Sequence, residues 1–409
     1  MTDAIHTDQK YDLYSHKTKA NIHPLFHQLR EEAPWLTQAG FDGETPICFP
    51  SRYEDIEAIL KDDRHFVRDP SNAFGDAAAQ PSEFEQMLSS HMLNKDWGDH
   101  RRLRDLVSKA FTPKLVREMR PRIQAVADEL IASVRARGEM DLIGDFAFHL
   151  PTIVIAEILG IPAEDRIKFK EWSAAFVTPT LDPVKQAYFN RLMVEFIEYL
   201  RNLFTIRRAN PQNDLLYALL HAEQDGDHLS EKELFSMMVL LIVAGHETTV
   251  NLIGNAMLAL FLHPAQMAEL KQNPTLIPQA IEEFLRYDGP VERSLNRWAA
   301  EDTVVNGQEI KKGTMIIPLL SAANRDPAIF PDPDRLDFRR ESNPHLAFGK
   351  GVHYCLGAPL ARLEGEIALT NLLQCLPGLE SITPVEDLRF RLVPMFRGLE
   401  SLPVRWNPE

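Results

Sequence analysis

The most informative segment of this 409-residue chain is FGKGVHYCLG, Phe348–Gly357. Three of its residues are glycines, which let a backbone approach another group closely. Cys355 stands just before a predicted helix that begins near Ala358, with Pro359 in a first turn that suits proline. Free N–H groups at a helix start stabilise a thiolate. A buried structural cysteine on a tight turn is the alternative, and for an isolated cysteine it is the commoner case.

The segment resembles the haem-binding loop of the cytochrome P-450 family, whose pattern is Phe-Gly-x-Gly-x-His-x-Cys-x-Gly, and every fixed position is met. The resemblance implies that haem b is the cofactor, that Cys355 is its proximal thiolate ligand, and that Phe348 and Gly349 belong to the cofactor-binding loop. Thiolate ligation favours O–O cleavage. The implied fold is mainly α with a small β portion (α+β), with the haem between a long central helix and the cysteine-bearing loop.

A central helix is predicted over the most apolar run, Leu234–Leu262. The run is long enough to cross a bilayer, but the polar belt His246–Thr249 in its middle is costly in lipid, which favours a buried core helix. Its Ala-Gly-His-Glu-Thr-Thr motif matches the family's oxygen-activation helix. The resemblance implies a catalytic acid at Glu247 and a catalytic alcohol at Thr248, which relay protons through water. The alternative is a helix-bonded hydroxyl and a salt-bridged carboxylate. We assign no role to His246.

A second group of residues carries positive charge. His100 and Arg104 are four positions apart, so they share one helical face. A solvated basic stripe is the ordinary interpretation of such a face. The resemblance implies instead that both residues, together with Arg297 and His353, bind the two haem propionates, which need cationic partners.

The Glu283-x-x-Arg286 pair is a weak helical ion pair by itself. The family has the same pair, with a structural role, bonded to a further arginine from an irregular segment. Arg340 is the matching residue here. We therefore predict that this triad belongs to the architecture and takes no part in catalysis.

Composition restricts the class of protein. The chain is 44% hydrophobic with a net charge of −15, which excludes disorder and argues against nucleic acid or an anionic membrane as main partners. Three cysteines cannot form a disulfide framework, and this fits a reducing cytoplasm. We expect a flexible N-terminal arm over residues 1–11, a single domain over 12–409, no membrane anchor, and a loop over residues 69–80.

The resemblance implies a monooxygenase that uses O2 and a separate ferredoxin or flavodoxin donor to oxidise an apolar small molecule. Two alternatives stay open. One is a peroxygenase of the same fold, although such relatives typically replace the acid–alcohol pair. The other is a non-catalytic haem sensor or carrier-recognition module. For the donor, a proximal basic patch and scattered surface charge are equally good interpretations of five residues: Arg101, Arg102, Lys109, Lys114 and Lys350.

The substrate itself is not specified by the sequence. By family position, the pocket draws on apolar segments with Glu292 and Arg293 nearby. These segments are Phe74–Met92, Val243–Ala244, Val291–Leu295 and Met395–Phe396.

Overall fold

The computed structural model describes residues 10–39, 45–78, 82–165, 168–169, 171–172, 183–212, 214–224 and 227–408. Most of the expected N-terminal arm, residues 1–9, lies outside these ranges. Its last two residues are fixed to the protein, because the Lys10 ammonium and the Tyr11 hydroxyl donate to Glu32 Oε2 at 2.8 and 2.9 Å. The Tyr11 side chain is buried, so the ordered chain begins before residue 12.

Helices make up most of the described chain, as predicted. In chain order they are α1 (His16–Ala20), α2 (His23–Glu32), α3 (Tyr53–Lys61), α4 (Ser71–Phe74), α5 (Glu83–Ser89), α6 (Trp97–Ala110), α7 (Pro113–Arg135), α8 (His149–Ile158), α9 (Pro183–Ala209), α10 (Leu215–Leu220), α11 (Glu231–Leu262), α12 (Pro264–Gln272), α13 (Ile277–Asp288), α14 (Leu320–Ala323) and α15 (Ala358–Cys375). A π-helical turn covers Leu142–Ala147. The buried apolar side chains of α6–α13 and α15 form the main core.

The strands are short and come from distant parts of the chain. They are β1 (Trp35–Ala39), β2 (Pro46–Pro50), β3 (Phe66–Val67), β4 (Glu139–Asp141), β5 (Glu223–Gln224), β6 (Asp227–His228), β7 (Arg297–Ala299), β8 (Thr303–Val305), β9 (Gln308–Ile310), β10 (Met315–Ile316), β11 (Glu380–Ser381) and β12 (Pro403–Arg405). The largest sheet has the order β1-β2-β10-β7-β3, and a smaller one the order β11-β12-β4. A turn joins β8 to β9, with positive φ at Asn306 and Gly307.

Helix α11 is the long central helix that the sequence predicts. It begins with a capping box, in which Ser230 and Glu233 bond each other's backbone N–H groups. It is the one described helix long and apolar enough to cross a membrane, by length and composition only. Because 72% of its most apolar window is buried inside the protein, the helix packs as a core element here.

One local prediction differs from the structure. The expected loop over residues 69–80 contains the short helix α4. A proline, Pro121, lies inside α7. Proline removes one helical hydrogen bond. Pro121 and Arg117, four residues earlier, are both exposed, so water reaches the carbonyl that loses its helical partner and the helix continues.

The predicted structural triad is confirmed. Glu283 pairs with Arg286 at 2.7 Å and with Arg340 at 3.3 Å. Arg286, which is fully buried, also donates to the carbonyl oxygens of Asn324 and Pro333 at 3.1 and 2.8 Å. A buried charge pair is stable only when its remaining donors are satisfied, as they are here. The triad therefore ties α13 to the irregular segment before the cysteine-bearing loop.

Glu364 is a buried carboxyl group that forms no ion pair with a described residue. It lies on α15, fully buried, and neither carboxyl oxygen has a well-formed hydrogen bond among the described residues. Burial raises its pKa to about 8, against a smaller lowering by the neighbouring Thr249 hydroxyl. The side chain is therefore neutral at pH 7.

Glu364→Gln should change how stability depends on pH. A carboxyl whose folded-state pKa lies above its ordinary value stabilises the fold at low pH, and that contribution disappears as pH rises through about 8. Glutamine cannot ionise, so the melting temperature of the variant should gain on that of the wild type between pH 6 and pH 9. Thermal unfolding checks this, with the exposed Glu118→Gln as control. A difference that stays constant with pH would contradict it.

Candidate functional site

The cysteine-bearing loop is a tight backbone turn in front of α15. Cys355 N–H donates to the Phe348 carbonyl at 3.0 Å, which closes the loop. Gly349 and Gly351 have φ of 68° and 72°, a region that side chains disfavour. A Cβ on Gly351 would come within 2.4 Å of the Leu60 carbonyl of α3, whereas a Cβ on Gly349 would meet no atom within 4 Å. Gly351 is thus required by packing, and open space lies beside Gly349.

The Cys355 side chain receives hydrogen bonds from the backbone N–H groups of Gly357 and Ala358 at the start of α15. Burial raises the pKa of the thiol, and these two groups, together with the Arg104 charge, oppose the rise. An iron ion bound here would remove the thiol proton outright. The other described cysteines, Cys48 and Cys375, have no comparable loop: Cys48 lies in β2, and Cys375 ends α15.

Four predicted cofactor ligands meet beside this loop. The rings of His100 and His353 lie 4.2 Å apart between centroids. Arg104 donates to the Tyr354 carbonyl at 2.8 Å, and Arg297 in β7 donates to the Phe66 carbonyl at 3.1 Å. Burial, together with the charges of Arg297 and His100, lowers the pKa of His353 to about 2. We call His100, Arg104, Arg297 and His353 the cationic cluster.

In the described part of the chain no member of the cationic cluster forms a salt bridge with a carboxylate, although the Asp96 carboxylate is near enough to raise the pKa of Arg297 and of His100 against the effect of burial. Two buried nitrogen atoms, His100 Nε2 and Arg297 Nε, have no hydrogen-bond partner there either. A buried nitrogen atom without a partner in the protein is a place where a bound group or water can complete the hydrogen bonding. The two propionates of haem, with the thiol and the open space at Gly349 beside them, satisfy this donor set.

Arg68 is a further basic residue at this place that sequence reasoning missed. It follows β3 directly, is buried, and its charge contributes to the lowered pKa of His353. Its own donors are occupied by the Leu93 carbonyl, the Asn296 carbonyl and the Asn94 side chain. The sequence feature that could have indicated Arg68 is an arginine placed directly after a short apolar strand.

The middle of α11 presents a polar face. Ala244 is exposed and Thr248 half-buried, although most of the helix around them is buried. The Thr248 hydroxyl donates to the Ala244 carbonyl at 2.8 Å. The space left by Gly245 is filled by protein, because a Cβ there would lie 3.0 Å from Ile155 of α8. Packing between α11 and α8 accounts for this glycine.

Glu247 points away from that face into a buried network. It forms an ion pair with Arg391 and accepts a weak hydrogen bond from Asn251 at 3.4 Å. Both contacts named by the alternative interpretation, a helix-bonded hydroxyl and a salt-bridged carboxylate, are therefore present. None of the described contacts joins Glu247 or Thr248 to the cationic cluster. Arg391 lies 144 residues away in sequence, and no local pattern marks it.

A cleft of about 380 Å³ is lined by residues from two of the predicted pocket segments, Val291–Leu295 and Met395–Phe396, and by no described residue of Phe74–Met92 or Val243–Ala244. Arg293–Asn296, Pro394 and Met395 line one part of it, and Ile47, Met315 and Ile317 another. Glu292, expected near the substrate, is instead fully buried in ion pairs with Lys19 and Arg293. Part of the predicted Phe74–Met92 segment, residues 79–81, lies outside the described residues.

The expected basic docking patch carries little free charge. Arg102 pairs with Asp227 and Glu233, and Lys350 pairs with Glu57 at 3.3 Å. Arg101 and Lys114 have acidic neighbours one helical turn away, at 3.8 and 3.7 Å. Surface pairs of this kind contribute little to stability, but they offset the positive potential that a docking patch needs.

Comparisons with known proteins agree with this geometry. A sequence profile described as Cytochrome P450 matches residues 13–376. The polyketide biosynthesis cytochrome P450 PksS of Bacillus subtilis (strain 168) is 44% identical over 389 residues, which are 94% of this chain and 95% of PksS. The PksS structure superimposes with a TM-score of 0.90 at 41% identity, covering 97% of this chain and 100% of PksS.

Two further relatives span nearly the whole chain. The vitamin D(3) 25-hydroxylase of Pseudonocardia autotrophica is 41% identical over 407 residues, covering 98% of this chain and 97% of the hydroxylase. The crystal structure of myxobacterial cytochrome P450 CYP267B1 in complex with myristic acid has a TM-score of 0.89 at 40% identity, covering 98% and 100%. The predicted family, fold class and cofactor are thereby confirmed. This chain belongs to the cytochrome P450 family, whose members are haem b-binding monooxygenases.

Proposed function

We propose that this chain inserts one oxygen atom from O2 into an apolar small molecule, and that a separate ferredoxin or flavodoxin type protein delivers the electrons. The observation that carries the proposal is the cationic cluster, which lies beside Cys355 without a salt-bridge partner among the described residues. Haem b, held by the Cys355 thiolate, supplies the binding and reductive activation of O2. We also propose that residues 12–409 act as a single cytoplasmic domain.

The proposed ligands act on the cofactor in different ways. Cys355 would bind the iron, and the N–H groups of Gly357 and Ala358 would stabilise its thiolate charge. His100, Arg104, Arg297 and His353 would hold the propionates through charge-assisted hydrogen bonds. Phe348 and Gly349 would form part of the surface that contacts the cofactor, since the space beside Gly349 is open.

Proton delivery is proposed for Glu247 and Thr248. Because the Thr248 hydroxyl donates its proton to Ala244, its oxygen remains free to accept a hydrogen bond from water. Such a water is then oriented at the accessible face of α11. Glu247 is held by Arg391, whose side chain is 28% exposed and so connects the buried carboxylate with solvent. The carboxylate would exchange protons with bulk water along this route.

The substrate is proposed to be apolar and extended. The cleft is lined by several apolar side chains, among them Leu295, Ile317 and Met395. The names of the relatives refer to a polyketide, to vitamin D(3) and to myristic acid, which share a large apolar surface.

The peroxygenase alternative accounts less well for the retained acid–alcohol pair. Turnover with O2 and a reconstituted electron donor separates both from a non-catalytic haem sensor or carrier-recognition module.

Cys355→Ser should abolish thiolate ligation, because serine offers no sulfur to the iron. Wild-type protein, reduced and carbonylated, should show the red-shifted Soret band of a thiolate complex. The variant should lack this band, and the matched control Cys375→Ser should retain it. An imidazole-type band in fresh, folded wild-type protein would refute the ligand.

Arg297→Leu should weaken haem retention, since one propionate loses a buried charged donor. The loss of such a hydrogen bond corresponds to roughly 1.5–3 kcal/mol. Transfer of haem to apomyoglobin measures retention directly. The control is Arg101→Leu, which changes an exposed residue and should transfer haem at the wild-type rate. If Arg297→Leu also transfers haem at the wild-type rate, Arg297 does not hold a propionate.

Thr248→Ala should uncouple electron consumption from product formation. The hydroxyl orients the water that delivers protons. Without it, proton delivery should be misdirected, and the reduced O2 should leave as hydrogen peroxide. Glu247→Gln should instead slow O2 consumption, because the proton supply is reduced. The assay measures electron donor oxidation, product and peroxide together with a substrate found by spin-state screening.

Thr205→Ala is the matched control, since its hydroxyl also donates to the carbonyl four residues earlier, at 3.0 Å, but on α9. Wild-type coupling in Thr248→Ala would mean that protons travel by another route.

A further inference from the structure

Helix α1 is joined to the C-terminal part of the chain by a buried lysine. Lys19, only 1% exposed, donates to Glu292 Oε2 at 2.8 Å and to the carbonyl oxygens of Val393 and Phe396, both at 3.1 Å. An ammonium group has three N–H donors, so each has one acceptor. Burial lowers the pKa of Lys19 to about 8, which leaves the side chain largely charged at neutral pH.

The acceptors of Lys19 flank the wall of the cleft. Val393 and Phe396 stand on either side of Pro394 and Met395, both of which line it. The Met395 carbonyl accepts the Glu292 N–H at 2.9 Å, and Phe396 forms a β-bridge with Val291. One ammonium group therefore holds both backbone segments of this wall, residues 291–293 and 393–396.

Two arginines fix the same segments to the N-terminal region. Arg293, which lines the cleft, donates to the Leu13 carbonyl at 2.6 Å and to Glu292 Oε1 at 3.0 Å. Arg397 donates to the Lys19 carbonyl and to Asp288, both at 2.5 Å. These contacts remain when the Lys19 ammonium is removed, so substitution of Lys19 should loosen one loop without detaching α1.

Charge explains why substitution should have a local effect. Glu292 is fully buried, and its described cationic partners are Lys19 and Arg293. Without Lys19, one oxygen of a buried carboxylate and two backbone carbonyls lose their donor. Groups buried without partners carry a large desolvation penalty, which loop 393–396 relieves by moving toward water.

We infer that Lys19 is a positioning residue for the substrate cleft: its ammonium holds the 393–396 loop against residues 291–293, and so the N-terminal helix fixes the wall that large ligands contact. The inference rests on the proposed function, because it takes this cleft to be where the substrate binds. Lys19 itself touches neither cofactor nor reacting atoms.

The test uses the haem-loaded protein and two azole probes. Imidazole coordinates the iron and is small, whereas clotrimazole coordinates it and also contacts the surrounding walls. In Lys19→Met, clotrimazole binding, measured from the red shift of the Soret band, should weaken about tenfold, as for loss of about 1.4 kcal/mol. Imidazole binding should stay within about twofold of the wild type.

Two further variants separate positioning from stability. Arg207→Met breaks the buried Arg207–Asp214 pair, 2.9 Å long and outside the cleft, and should lower the melting temperature without changing the ratio of the two affinities. Lys19→Met combined with Glu292→Gln removes the carboxylate charge that has lost one of its two cations. It should recover stability while clotrimazole binding stays weak, because the loop still lacks its donor.

The inference is overturned if clotrimazole binds Lys19→Met as tightly as the wild type, or if the double variant regains tight binding together with stability. It is also overturned if Arg207→Met changes the affinity ratio equally. Failure of the proposed function looks different, because then the wild-type protein forms no product with O2 and a reconstituted electron donor, whatever the azole affinities of the variants.

Discussion

The cationic cluster, which forms no salt bridge with a carboxylate among the described residues, is the constraint on which the site depends. Burial, reinforced by the charges of Arg297 and His100, lowers the pKa of His353 to about 2. A folded protein retains such an arrangement only where a negative partner compensates for it. The propionates of haem would provide that partner when the cofactor is held by Cys355. The polypeptide and its cofactor are therefore electrostatically complementary, and neither half of the site is complete alone.

The rest of the architecture fixes the groups that meet the cofactor. Helix α6 carries His100, strand β7 carries Arg297, and the loop before α15 carries His353 and Cys355. Glu283 and its two arginines tie α13 to the segment that precedes this loop. At the substrate cleft, Lys19 joins α1 to the cleft wall. Buried ion pairs thus connect the elements from which the site is built, while apolar packing around α11 forms the core.

Sequence reasoning found the parts of the site that are local in the chain. Phe348–Gly357, the polar belt of α11 and the Glu283–Arg286 pair are each a few residues long, so their spacing is visible without a structure. Long-range partners leave no such pattern, as Arg391 and Lys19 show, because only folding brings them to Glu247 and Glu292. Packing is likewise invisible: Gly245 makes room for Ile155, and Pro121 is tolerated inside α7 because the helix is exposed there.

The most direct test of the account is the affinity of the apoprotein for haem compared with haem dimethyl ester. The ester keeps the iron and the ring but has no propionate charge. If the cationic cluster exists to bind propionates, the ester should bind at least about tenfold more weakly, a loss of about 1.4 kcal/mol or more, and added salt should reduce the difference. Equal affinity for haem and its ester would contradict the account.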